Sequence, residues 1–321
     1  MGTLTGFLQQ EFNRFRPEGW SCRYEAPIFS KDLEDALGFA ARADILLQAS
    51  DESRRYWIEF EVSRADPVAN HAKFAVGHLY QPQSQKDFFV SMVSSHVSRG
   101  RRNLAGNAIH LMRCVGMNAF QTILLPHSSG SEIKRWNGMS VMKLTSENIP
   151  IQDEIERVFA ITEPVTAVGS RDIYLVGDIS DVILNVRRFN LDISTEQGCS
   201  DFGRRTVTYF VYDPWMKTFA PSKFCAYSVI NSKNKVRDHA YPTDFHSDMT
   251  ISFYSQLDES NPAFDGRIAR LHLEKRLAMH LVPLANRPDL KTSFYAWHDG
   301  LIGSINVHPS GPQILIPPEW F

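Results

Sequence analysis

Hydrophobic and polar positions alternate most sharply between Tyr56 and Val62. There Ile58, Phe60 and Val62 fall on one side of an extended chain, and Glu59 and Glu61 fall with Trp57 on the other. Just upstream, Arg42–Gln48 carries the apolar run Ile45, Leu46, Leu47 directly after Asp44. The polar stretch Ala49–Arg55, with Ser50, Asp51, Glu52 and Ser53, reads as a hairpin loop joining two strands. Asp66-Pro67 then opens a helix, with Asp66 as cap and Pro67 at the first helical position. Val68, His71, Ala72, Ala75, Val76 and Leu79 recur along it at helical spacing.

The flanking segments extend this pattern. Residues 3–16 predict an amphipathic helix, with Leu4, Phe7, Leu8, Phe12 and Phe15 on one face and Pro17-Glu18-Gly19 at its end. Trp20–Phe29 predicts a strand, and residues 30–41 a loop or short helix. Asp87–Ser95 reads as a buried strand, Leu104–Met117 as a helix and Asn118–Pro126 as another strand. The order predicts a mixed β-sheet flanked by helices, an α/β arrangement. The Ser- and Gly-rich stretch His127–Gly138 marks a boundary, and Ile151–Ile161 reads as a connecting helix.

The second half has a different texture. Strands are expected at Asp172–Val176 and Arg204–Asp213, and an aromatic loop over Pro214–Tyr227. An amphipathic helix is expected from Asp265 through Leu281, stopped by Pro283 and Asn286. Two short strands follow at Ser293–Trp297 and Leu301–Val307, around the turn signal His298-Asp299-Gly300. A chain of 321 residues also favours two domains. The expected division is 1–130, a linker over 131–164, and an α+β domain over 165–321.

Chemistry enters through the acidic residues of the hairpin. Pairing its strands brings Asp44 near Glu59 and Glu61. Three converging carboxylates repel one another unless a cation sits among them, and hard oxygen ligands suit Mg²⁺. The alternative is a solvated acidic strand face. Lys73, on the following helix, is expected to point back toward these carboxylates. Glu25, mid-strand, is a fourth acidic candidate or a partner for Arg23 or Arg42. Glu11 is a further contributor or a solvated helix residue. The densest basic cluster, His96–Asn103, supplies Arg99, Arg101 and Arg102 for phosphate contact, or forms a solvated loop. Trp215, Lys217 and Lys223 give the aromatic loop stacking and cationic groups, unless its rings fill a second core.

Composition narrows the classes. A net charge of −2 restricts any nucleic-acid contact to local patches. Cys22, Cys114, Cys199 and Cys225 are scattered without a C-x-x-C pair, which argues against zinc and against a disulfide framework and for a reducing cytoplasm. No long apolar run predicts a membrane span. No histidine pair has metal-ligand spacing, and glycine-rich phosphate loops and a G-x-S-x-G nucleophile signature are absent.

Asp44, a turn, Glu59-Phe60-Glu61 and a helix resemble the PD-(D/E)xK nuclease core over roughly residues 5–127. The resemblance implies a restriction-endonuclease-like catalytic domain that hydrolyses DNA phosphodiester bonds with Mg²⁺. Asp44 and Glu59 would be the metal ligands. The usual lysine falls on Glu61, a departure for which Lys73 is the implied substitute. It further implies a homodimer acting on double-stranded DNA. The C-terminal domain would read a short sequence or a modified cytosine. A non-catalytic DNA-binding protein on the same core is the alternative that Glu61 allows.

Overall fold

A computed structural model describes residues 2–63, 66–231, 249–260, 264–301 and 303–321. The chain divides into two compact units, the first holding residues 1–162 and the second most of the remainder.

The first unit opens with helix α1 (Thr3–Arg14), which buries Leu4, Phe7, Leu8 and Phe12. Strand β1 (Trp20–Pro27) follows, then helix α2 (Lys31–Leu37), capped by the Ser30 hydroxyl accepting from the Leu33 amide. Gly38 ends α2 at φ 74°, a left-handed conformation that glycine adopts without strain. Strands β2 (Arg42–Ala49) and β3 (Arg55–Glu61) form the expected hairpin. Helix α3 (Val68–Tyr80), strand β4 (Asp87–Ser94), helix α4 (Arg99–Cys114) and strand β5 (Asn118–Leu124) complete the sheet.

Strand order is β1-β2-β3-β4-β5. The first two pairings are antiparallel and the last two parallel. Parallel neighbours need crossovers, which α3 and α4 supply. Strands covered on both faces read as near-continuous apolar runs, as Phe88–Val93 does. One face packs Leu46, Trp57, Phe74, Phe89, Ile109 and Met112. On the other, Phe12 meets Phe60 edge-on at 4.9 Å and Tyr56 meets Phe159 at 5.2 Å.

Two expectations are corrected in this unit. The basic cluster is not a loop, because α4 begins at Arg99 and takes Arg99, Arg101 and Arg102 into its first turn. Nor is His127–Gly138 an open boundary. Helix α5 (Gly130–Asn137) forms there, held by a capping box between Ser129 and Glu132 that its composition concealed. Helices α6 (Val141–Leu144) and α7 (Ile151–Thr162) follow. Inside α7, the buried Glu154 pairs with Arg157 at 2.6 Å and accepts the Leu125 amide, fixing the exit of β5.

The second unit contains β6 (Thr166–Val168), β7 (Arg171–Leu175), α8 (Ile179–Ile193) and α9 (Glu196–Phe202). Next come β8 (Arg205–Val207), β9 (Tyr209–Asp213), β10 (Thr218–Pro221), α10 (Ser222–Cys225) and β11 (Tyr227–Asn231). It ends with α11 (Ile251–Ser260), α12 (Gly266–Leu271), β12 (His280–Pro283), α13 (Pro288–Asp299), β13 (Ile305–Val307) and β14 (Gln313–Ile316). Its strands form sheets ordered β10-β9-β14-β12, β11-β7-β6 and β13-β8.

Here tertiary contacts override local pattern. The single strand expected over Arg204–Asp213 splits at Thr208, whose carbonyl accepts from Gln313, and its halves join different sheets. The aromatic loop is a hairpin: the Asp213 carboxylate accepts the Trp215 and Met216 amides, and β10 returns along β9. Ser293–Trp297 is helical, not extended. Leu290, Phe294 and Trp297 recur at helical spacing, and Phe294 packs on Phe210 and Phe219 at 5.2 and 5.1 Å. The helix from Asp265 widens into a π-helical turn at His272–Arg276, and Leu281 belongs to β12. Of the expected strand Leu301–Val307, Ile305–Val307 is extended and Ile302 lies outside the described residues. No helix among the described residues is long and apolar enough to cross a membrane.

Phe89 is fully buried between Phe74, at 4.3 Å, and His71, at 5.3 Å. Phe89→Ala is expected to lower unfolding free energy by about 3–5 kcal/mol, read from urea denaturation by circular dichroism.

Candidate functional site

Backbone register builds the site. Pairing Tyr24 with Ile45 and Ala26 with Ala43 sets Glu25 across from Asp44. Pairing Ile45 with Ile58 sets Asp44 beside Glu59, one step beyond the end of the β2–β3 ladder. Glu59 pairs in turn with Ser91, and Ser91 with Gln121. Glu25, Asp44, Glu59, Ser91 and Gln121 therefore form one polar row across five strands.

Each acid is held by a specific contact. Where the β2–β3 ladder stops, Asp44 replaces it: its Oδ2 accepts the Phe60 amide at 2.7 Å. Gln9, on the buried face of α1, donates from Nε2 to Glu25 Oε1 and to the Asp44 carbonyl, both at 2.9 Å. Glu25 itself sits in a left-handed conformation, φ 46°. Such a conformation is uncommon away from glycine and clusters at functional positions. Asn70, in the first turn of α3, donates to Glu61 Oε1 at 2.9 Å and, at 3.4 Å, to Glu59 Oε2.

Glu59 and Glu61 are only 5% and 6% exposed, so the solvated-face alternative does not hold for them. Burial pushes the Asp44 carboxyl up to about 7, against the Phe60 amide, with Glu25 and Glu61 adding to the rise. Burial drives Glu59 well above the carboxylate range, aided by Asp44 and Glu61 and opposed by Lys73. Glu61 is raised by burial and held back by the Asn70 hydrogen bond; Asp66 adds to the rise and Lys73 opposes it. Lys73 thus acts on both glutamates from an exposed position on α3.

Comparisons with protein-family models, with curated proteins and with solved structures find no match.

The remaining sequence candidates are placed as follows. Glu11 pairs with Arg14 at 3.6 Å. Arg99 and Arg101 are exposed at the start of α4, just past the C-terminal end of β4. Arg102 is fully buried, so it is not a surface contact. Trp215 and Lys217 are exposed on the β9–β10 turn of the second unit. Lys223 of that unit is engaged with Asp258. Pattern reading missed Gln9, Asn70, Ser91 and Gln121. The available signal was a polar residue inside an otherwise apolar face or strand, and, for Asn70, a position three residues before Lys73 on one helix face.

Among the described residues, no group of three or more His, Cys, Asp or Glu is arranged to cage a metal ion. Mg²⁺ needs less, since one or two carboxylates suffice when water and phosphate oxygens supply the rest. Asp44 and Glu59 fit that demand. They are oxygen donors side by side in one row, and a divalent cation offsets the burial and repulsion that raise both.

Raised carboxyl pKa values mean that the fold favours the protonated acids. Their contribution to stability is complete below the ordinary carboxylate range and is lost as pH rises, for Asp44 through about 7. Urea midpoints are expected to fall between about pH 4 and about pH 7, and Asp44→Asn to flatten that fall. Asn70→Ala is expected to move the Glu61 titration higher still, read by carboxyl ¹³C NMR.

Proposed function

We propose that the first unit is a restriction-endonuclease-like catalytic core of the PD-(D/E)xK type, and that the chain is a Mg²⁺-dependent DNA endonuclease. The observation that carries this reading is the row of Glu25, Asp44 and Glu59 across three strands. Glu61, Asn70 and Lys73 adjoin it at the C-terminal end of β3. Open α/β sheets bind their ligands at the carboxyl ends of strands. The antiparallel hairpin, the α3 crossover and the parallel β4 support the same reading.

Asp44 and Glu59 would hold Mg²⁺, which supplies a lowered pKa for bound water and charge neutralisation at the scissile phosphate. Glu61, raised by burial and oriented by Asn70, accepts a proton from the attacking water. Lys73 stabilises negative charge developing on the phosphate, taking the part of the lysine that Glu61 replaces. Arg99 and Arg101 contact the DNA backbone, and the second unit adds Trp215 and Lys217. Cutting both strands of a duplex calls for two such sites, hence a homodimer.

Plasmid, phage DNA and DNA with modified cytosines are the substrates for the test, each with Mg²⁺ and with EDTA. Discrete Mg²⁺-dependent fragments are expected. Asp44→Ala and Glu59→Ala should lose activity by about 100-fold or more, and Lys73→Ala by about 100-fold. Preference for modified DNA would make the second unit a modified-base reader. Binding of duplex DNA without cleavage of any substrate would replace the enzyme with a non-catalytic DNA-binding protein, the reading that Glu61 allows.

A further inference from the structure

The second unit contains a cleft of about 450 Å³ in which Arg205, Ser222, Lys223, Tyr209, Tyr254 and Asp258 meet. That volume lies in the range of small-molecule sites. Its charge arrangement is unusual. Asp258 pairs with both Arg205 and Lys223, while the other carboxylate lining the cleft, Asp265, pairs with Arg267, so two cations share one carboxylate.

Both cations are held in place by aromatic rings and backbone. The Arg205 guanidinium lies 5.4 Å from the Phe202 ring centre and 5.5 Å from that of Tyr254, and its Nε donates to the Phe202 carbonyl at 2.8 Å. The Lys223 ammonium lies 4.8 Å from the centre of Phe264. Both side chains are about one-fifth exposed, so they are partly desolvated yet reachable from the cleft. Burial and the neighbouring Arg205 push the Lys223 ammonium down to about 8, against the pull of Asp265.

We infer that this cleft binds a small phosphomonoester, with Arg205 and Lys223 on its phosphate and the remaining volume taking the organic group. A phosphomonoester carries close to two negative charges near neutral pH. It supplies the counter-charge that Asp258 provides only once, and a guanidinium beside an ammonium matches its oxygens. Asp258 then acts as the internal competitor that occupies both cations until a ligand arrives. The inference stands apart from the acidic row of the first unit and does not require DNA cleavage.

Calorimetric titration of the full-length protein tests it, with inorganic phosphate, deoxyadenosine 5′-monophosphate and deoxyadenosine as probes. The monophosphate is expected to bind, inorganic phosphate to compete with it, and deoxyadenosine to bind about tenfold more weakly or not at all. Arg205→Gln and Lys223→Gln should each weaken monophosphate binding by about tenfold or more. Asp258→Asn should tighten it, an outcome that a purely structural ion pair does not produce. The inference is overturned by equal binding of nucleoside and monophosphate, by no binding of either phosphate, or by an Asp258→Asn protein that folds but binds the monophosphate no better. That last arm decides the matter even where the Arg205 and Lys223 variants fail to fold.

Discussion

The antiparallel register of β1, β2 and β3 is the constraint on which the first unit's chemistry depends. Hydrogen bonding of the backbone, not attraction between side chains, sets Glu25, Asp44 and Glu59 side by side. The placement is unfavourable for Asp44 and Glu59 by itself, because burial and like charge both oppose their ionisation. Neighbouring groups offset part of the cost of charge on the buried acids: the Phe60 amide on Asp44, the Asn70 amide on Glu61, and the Lys73 charge on both β3 glutamates. Packing keeps the register from slipping. A shift of one residue would carry Trp57 out of its core and Phe60 away from Phe12.

The hairpin, its acids and the α3 start were legible because their signals are local. Alternation placed Glu59 and Glu61 on one face, a short polar loop implied the hairpin, and Asp66-Pro67 marked the helix. The contacts that steady the acids were not legible. Gln9 reaches Asp44 across 35 positions of sequence, and no local pattern reports such a distance. The burial of Arg102 was hidden for the same reason: a run of arginines reads as solvated until the helix face is known. In the second unit the misreadings share one cause. Its strands are short, and several are chosen by distant partners, as when Gln313 interrupts the alternation at Thr208. The aromatic residues around Trp297 carry strand propensity, yet their spacing suits a helix packed on Phe210 and Phe219.

Carboxylates do opposite work in the two units. In the first, acids outnumber their cations and are raised, a state that a divalent ion relieves. In the second, Asp258 serves two cations and leaves the basic side short of charge. On the two proposals, the same imbalance with its sign reversed directs one site to a metal ion and the other to an anion.

Carboxyl ¹³C NMR titration of Asp44 and Glu59, with and without Mg²⁺, tests the central claim most directly, because it reads the acids themselves. If the row is a metal site, both side chains titrate high in the metal-free protein, and Mg²⁺ moves both titrations down together. Titrations of Asp44 and Glu59 that are the same with and without Mg²⁺ would contradict the account and leave the row a structural feature of the sheet.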